Sequence, residues 1–152
     1  MNGAEEHRPL PDRGRHQWQP EPYGKSVLGQ ELEVWMPTAV SPRFLIMAGL
    51  HGEEPETTVV LSRALRTLSC RSAHAAVILA ANPDGLIRGT RGNARGVDLN
   101  RNFPCQSWQG APITHRWVVE EPSQVQLSPG TFPRSEPEVA DLVDLIDRLK
   151  PD

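Results

Sequence analysis

Cysteine is scarce, with Cys70 and Cys105 the two in 152 residues. Two thiols build no disulfide framework, and their spacing fits no zinc knuckle, so both are expected to be reduced. Lysine is rarer than its total charge suggests: Lys25 and Lys150 stand against fourteen arginines, which bears little on function. Neither sign of charge dominates, since 16 basic and 19 acidic residues leave a net charge of −3. A charge that small offers no general basic surface for phosphates, which argues against a nucleic-acid partner. No apolar run approaches the roughly 18–20 residues of a membrane span, so no membrane association is expected. The N-terminal stretch lacks the apolar core of a secretory signal, which makes the cytoplasm the expected location.

What is present is a globular composition, 38% hydrophobic and 23% charged, on a chain the length of one domain. Residues 1–22 are polar and Pro-rich and read as an extended or loosely packed arm. Residues 23–152 read as the folded part. Tyr23 to Gln30 is a turn-rich entry. Glu31 to Met36 alternates polar and apolar residues, as a half-buried strand does. Arg43 to Leu50 is a short apolar run, expected as a central strand buried on both faces. Helical spacing follows from about Pro55 to Leu68, with Val60, Leu61, Ala64, Leu65 and Leu68 on one face. Ala75 to Ala81 is a second buried strand. Strand, helix, strand at this spacing is a βαβ unit, so the fold class is α/β.

Between Asn82 and Pro133 the chain is rich in Gly, Pro, Asn and Arg, and regular structure is hard to place. Long irregular segments in small domains are usually functional. The last element is plain. Ser135 is the expected N-cap, Glu138 would complete a capping box, and Pro137 suits the first turn. Val139, Leu142, Val143, Ile146 and Leu149 form its apolar stripe.

Three segments carry possible chemistry. His51-Gly52-Glu53-Glu54 ends the apolar run. A His and a Glu three apart on a tight turn can bring an imidazole nitrogen and a carboxylate to one Zn²⁺. Open α/β sheets also bind ligands at the C-terminal ends of their strands. The bland alternative is a helix N-terminus whose Glu53, Glu54 and Glu56 complement the dipole. Asn82-Pro83-Asp84-Gly85 reads as a turn. Arg91 to Pro104 packs three Arg and three Asn with Asp98 into fourteen residues. Arg and Asn together can hold a carboxylate, and Asp98 could orient either a metal ligand or an arginine. A solvated basic loop is the alternative there.

Taken in order, HGEE, NPDG and RGNARGVDLNRNFP resemble the zinc carboxypeptidase family of metallopeptidases. The likeness is closest to its bacterial branch of murein peptide amidases, and YGKSVLGQEL and the SEPE helix share it. It runs from about Tyr23 to Asp152. The resemblance implies a mixed, largely parallel sheet flanked by helices and a Zn²⁺ cofactor. It implies hydrolysis of the γ-D-glutamyl–diaminopimelate bond in a murein tripeptide, a step in cell-wall recycling. His51 and Glu54 match the first two zinc ligands. Asn100 and Arg101 match the pair that binds the substrate carboxylate. Arg91, or else Arg88, matches the arginine that polarises the scissile carbonyl.

The family also needs a third ligand, a His on a later strand, and a Glu general base later still. His7 and His16 lie in the arm, His74 sits at the opposite strand end from His51, and His115 lies in an irregular segment without the family's context. No Glu here stands in the catalytic context. The chain is therefore expected to be the N-terminal part of such a domain, with its C-terminal strands missing, and alone to be inactive. Two rival readings follow. One is a catalytically inactive remnant or small-ligand-binding module. The other is a zinc-dependent amino-acid deacylase, whose relatives share an HGxE start but usually not VDLNRNFP.

Overall fold

The computed structural model describes residues 17–117 and 123–152. Most of the expected N-terminal arm lies outside the described residues. Its last part, however, is folded. Trp18 is buried, and its indole Nε1 donates to the Leu68 carbonyl at 3.1 Å. Strand β1 (Pro20–Lys25) then starts within the Pro-rich stretch. Proline is tolerated because β1 is an edge strand, where a missing N–H need not break a ladder.

β2 (Glu31–Trp35) pairs antiparallel with β1. It keeps the expected alternation, with Leu32 and Val34 buried between exposed Glu31 and Glu33. β3 (Phe44–Met47), helix α1 (Pro55–Thr67) and β4 (Ala75–Ile78) form the βαβ unit, and β3 and β4 are parallel. The sheet order is β1-β2-β4-β3, and the β2–β4 contact is antiparallel. The sheet is thus mixed, as expected, with its parallel pair at one side.

β4 is the strand buried on both faces. Its residues divide with period two: Ala76 and Ile78 pack with Leu142 and Leu145, while Ala75 and Val77 pack with Trp18 and Leu65. The Arg43–Leu50 run does not have the expected central position. β3 is the edge strand opposite β1 in the described sheet, and Phe44, Ile46 and Met47 remain 51%, 43% and 41% exposed. The α1 stripe shows the same lack of cover. Leu65 is fully buried, but Val60 is 67% exposed and Leu68 44%. The helical period is right, but among the described residues no element covers that side.

The expected Asn82–Gly85 turn is instead the start of a short helix, α2 (Pro83–Arg88). Asn82 caps it by accepting the Gly85 N–H at 2.9 Å, Pro83 occupies the first turn, and Gly89 ends it at φ 65°. A single 3₁₀ turn follows at Leu99–Arg101. β5 (Ile113–Trp117) and β6 (Ser123–Leu127) then pair as an antiparallel two-stranded sheet. Helix α3 (Pro137–Leu149) covers the sheet with Val139, Leu142 and Leu145 buried. Its N-cap is Glu136 rather than Ser135, and no side chain closes a capping box. The expected box partners are engaged elsewhere. Ser135 Oγ accepts from Asn102 Nδ2 at 3.1 Å, and Glu138 Oε1 accepts the Val27 N–H at 3.0 Å.

Candidate active site

The HGEE turn follows β3 and rests on α2. Gly52 makes this possible. A Cβ there would lie 2.0 Å from the Gly85 carbonyl carbon, so the two backbones touch directly. The Gly52 N–H donates to Thr90 O at 2.9 Å, and Asn82 Nδ2 donates to Leu50 O at 3.2 Å. HGEE and NPDG therefore form one packed unit.

The Arg-rich segment is anchored by buried amides. Asn93 Oδ1 accepts the Arg95 and Val97 N–H groups at 3.0 and 3.1 Å. Its Nδ2 donates to Glu136 and Glu138 at 2.8 and 3.1 Å. Asn102 Nδ2 donates to Pro129 O and Phe132 O, and its Oδ1 accepts the Glu136 N–H. This is no solvated basic loop: Asn93, Asp98, Leu99 and Asn102 are all buried.

Asp98 joins the segments. His51 Nε2 lies 3.2 Å from its Oδ1, and Arg91 Nε donates to its Oδ2 at 3.0 Å. Burial alone would raise the Asp98 pKa. Hydrogen bonds from His51 and Arg91, and the Arg91 charge, outweigh it and hold the carboxyl at about 2. An ionised carboxylate only accepts, so His51 Nε2 carries the proton. In the neutral ring the other nitrogen, Nδ1, then has the lone pair, and it lies 3.5 Å from Glu54 Oε1. An imidazole nitrogen and a half-exposed carboxylate oxygen thus converge, with the imidazole oriented from behind.

Arg91 also donates through Nη1 to Glu53 Oε1 at 3.1 Å. Burial would lower its pKa, but hydrogen bonds to Glu53 and Asp98 raise it above the ordinary arginine value, so it stays charged. Arg88, the other candidate, donates to Ala94 O at 3.3 Å on the exposed side of α2, with no carboxylate partner among the described residues. Asn100 and Arg101 sit in the 3₁₀ turn, exposed, and line a cavity of about 340 Å³ with Phe103, Cys105 and Trp108. The Asn100 N–H donates to Asp98 Oδ1 at 3.0 Å, which ties this cavity to the His51 cluster.

His115 is the residue that the sequence reading set aside. It lies on β5, and its Nε2 is 3.0 Å from Glu53 Oε1. The signal was available: ITHRW and SQVQL are each short, extended-type runs flanking a Pro-containing break, the pattern of a hairpin. Glu53 was also missed as the hub that receives both Arg91 and His115. His74 lies before β4, as expected, where its carbonyl receives the Arg43 and Phe44 N–H groups. Among the described residues no group of three His, Cys, Asp or Glu is arranged to hold a metal ion.

The zinc carboxypeptidase family model matches residues 19–152. This chain belongs to the zinc carboxypeptidase family. Murein peptide amidase A of Escherichia coli (strain K12) is 44% identical over 147 residues, which cover 95% of this chain and 60% of that protein. Murein peptide amidase A of Vibrio campbellii is 43% identical over 135 residues, covering 87% of this chain and 54% of the relative. The crystal structure of murein-tripeptide amidase from Escherichia coli O157 superposes with a TM-score of 0.84 at 43% identity, covering 95% of this chain and 62% of that one. Bovine thrombin-activatable fibrinolysis inhibitor, at 22% identity and a TM-score of 0.63, shares the fold. The chain spans about 60% of the length of the first of these amidases. No described helix is long and apolar enough to cross a membrane.

Proposed function

We propose that this polypeptide carries part of the active site of a zinc-dependent amidase that cleaves the γ-D-glutamyl–diaminopimelate bond of murein peptides. The observation that carries this reading is the Asp98–His51–Glu54 arrangement, in a chain 44% identical to murein peptide amidase A. His51 Nδ1 and Glu54 suit two positions of a Zn²⁺ shell, and a catalytic site requires a third protein ligand. When bound, Zn²⁺ supplies Lewis-acid polarisation of the scissile carbonyl and acidifies a water.

The chain's own residues take the following parts. Asp98 fixes the His51 ring and its tautomer. Arg91, held charged and pinned by two carboxylates, is the group we assign to the developing oxyanion in preference to Arg88. Asn100 and Arg101 offer an amide and a guanidinium to the carboxylate of the diaminopimelate end. A reducing location is part of the proposal and accords with the unpaired Cys70 and Cys105.

The test is release of free diaminopimelate from the tripeptide L-Ala-γ-D-Glu-meso-diaminopimelate by the zinc-loaded protein purified from its own cell, with its intact mass measured. Release by a species heavier than 16.9 kDa supports the amidase reading. A species of 16.9 kDa that releases nothing supports the inactive or ligand-binding reading. Release of an acyl acid from N-acyl amino acids, without diaminopimelate, identifies a deacylase.

A further inference from the structure

We propose that the cavity between the Arg88–Gly96 segment and the β5–β6 hairpin binds the acyl side of the substrate, and that Arg88 selects an acyl group bearing a free carboxylate. The inference rests on the amidase reading and adds a recognition element to it. The cavity measures about 470 Å³, enough for a dipeptidyl group. It adjoins the His51 cluster through Arg91 and His115, both bound to Glu53. It shares no lining residue with the cavity of Asn100 and Arg101. If the latter holds the amine side of the scissile bond, this cavity beside Arg91 is placed for the acyl side.

Among the described residues its lining carries charge of one sign. Arg88, Arg91 and His115 line it, and no Asp or Glu does among the described residues. Arg91 and His115 are committed to Glu53, and Arg91 also to Asp98. Arg88 is different. Its guanidinium is bonded to the Ala94 carbonyl at 3.3 Å, and no described carboxylate neutralises it. Several of its donors remain for a ligand, in the fork geometry that matches a carboxylate. Val125 and Leu127 supply apolar wall for methyl and methylene groups. A γ-linked glutamyl residue presents this combination, because linkage through the side chain leaves its α-carboxylate free beside a two-carbon stem.

The experiment is calorimetric titration of the full polypeptide with two peptides. One is L-Ala-γ-D-Glu-meso-diaminopimelate. The other is the same peptide with the α-carboxylate converted to a carboxamide. The expected result is a preference of about tenfold for the carboxylate form, as one charge-assisted contact gives. Arg88→Gln should bring the two affinities within about twofold by weakening only the carboxylate form, and Arg88→Lys should retain part of the preference. Arg101→Gln should weaken both peptides alike. Circular dichroism checks that each variant is folded. Equal affinities in the wild type, or a preference unchanged by Arg88→Gln, would overturn this inference and leave the amidase reading standing. Failure of the wild type to bind either peptide overturns both.

Discussion

Asp98 faces His51 with one carboxylate oxygen and Arg91 with the other, at 3.2 and 3.0 Å. A single buried side chain therefore sets the tautomer of a candidate metal ligand and pins the candidate oxyanion arginine. Asp98→Asn keeps the shape but removes the charge. Zinc affinity should fall by roughly 10–100-fold, the usual effect of losing such a supporting carboxylate. Competition against a chromogenic chelator measures it. Unchanged affinity would show that the His51 ring is oriented by something else.

Asn93 donates through one nitrogen to two buried carboxylates, those of Glu136 and Glu138. Asn93→Ala removes that donor and also the acceptor for two backbone N–H groups. Buried polar groups left without partners cost about 1–3 kcal/mol each, so a loss of about 3 kcal/mol is expected in urea unfolding. A loss below about 0.5 kcal/mol would mean that rearranged partners or water satisfy these groups.

Tyr23 carries a buried hydroxyl with no hydrogen-bond partner among the described residues. Burial, with the Asp141 and Glu138 charges, raises its pKa above the ordinary 10.0. The folded state therefore holds this proton where the unfolded chain releases it. The contribution is complete below about pH 10 and is lost as pH rises through the raised folded value. Tyr23→Phe should stabilise the protein near neutrality by about 1 kcal/mol. It should also flatten the alkaline fall in stability. A steeper alkaline loss in the variant than in the wild type would contradict this origin.

Gly52 meets Gly85 with no room for a methyl group. Gly52→Ala must separate the HGEE turn from α2, at a cost of about 1–3 kcal/mol or more. Because the same turn carries His51 and Glu54, thermal stability and zinc affinity should fall together. Retention of both would show that the turn can shift without disturbing the site.

Much of the fold was legible locally. Period-two alternation marked Leu32 and Val34, continuous apolar residues marked β4, and helical spacing marked α1 and α3. Each of those signals depends on a few neighbouring residues. Signals that depend on distant partners were misread. Arg43–Leu50 has the composition of a central strand, but a strand's neighbours are not written in its own residues. Ser135-Pro137-Glu138 has the wording of a capping box, but both side chains bind distant partners, Asn102 and Val27 among them. Asn82-Pro83-Asp84-Gly85 has turn composition, and the same residues also start a helix.

The candidate site divides along the same line. The sequence by itself determined the family and the wording of the three motifs. Through that resemblance it offered His51, Glu54, Asn100, Arg101 and either Arg91 or Arg88 as candidates, because the motif wording is a property of residue type and order. Only the tertiary structure decided that Asp98 serves His51 and Arg91 at once. It alone separated Arg91, held between Glu53 and Asp98, from Arg88, which is turned toward the hairpin cavity. It also brought His115, sixty-two positions beyond Glu53 in the chain, to within 3.0 Å of that carboxylate. Contacts over such separations follow from which faces the sheet and α3 bury together, and no local pattern encodes that choice.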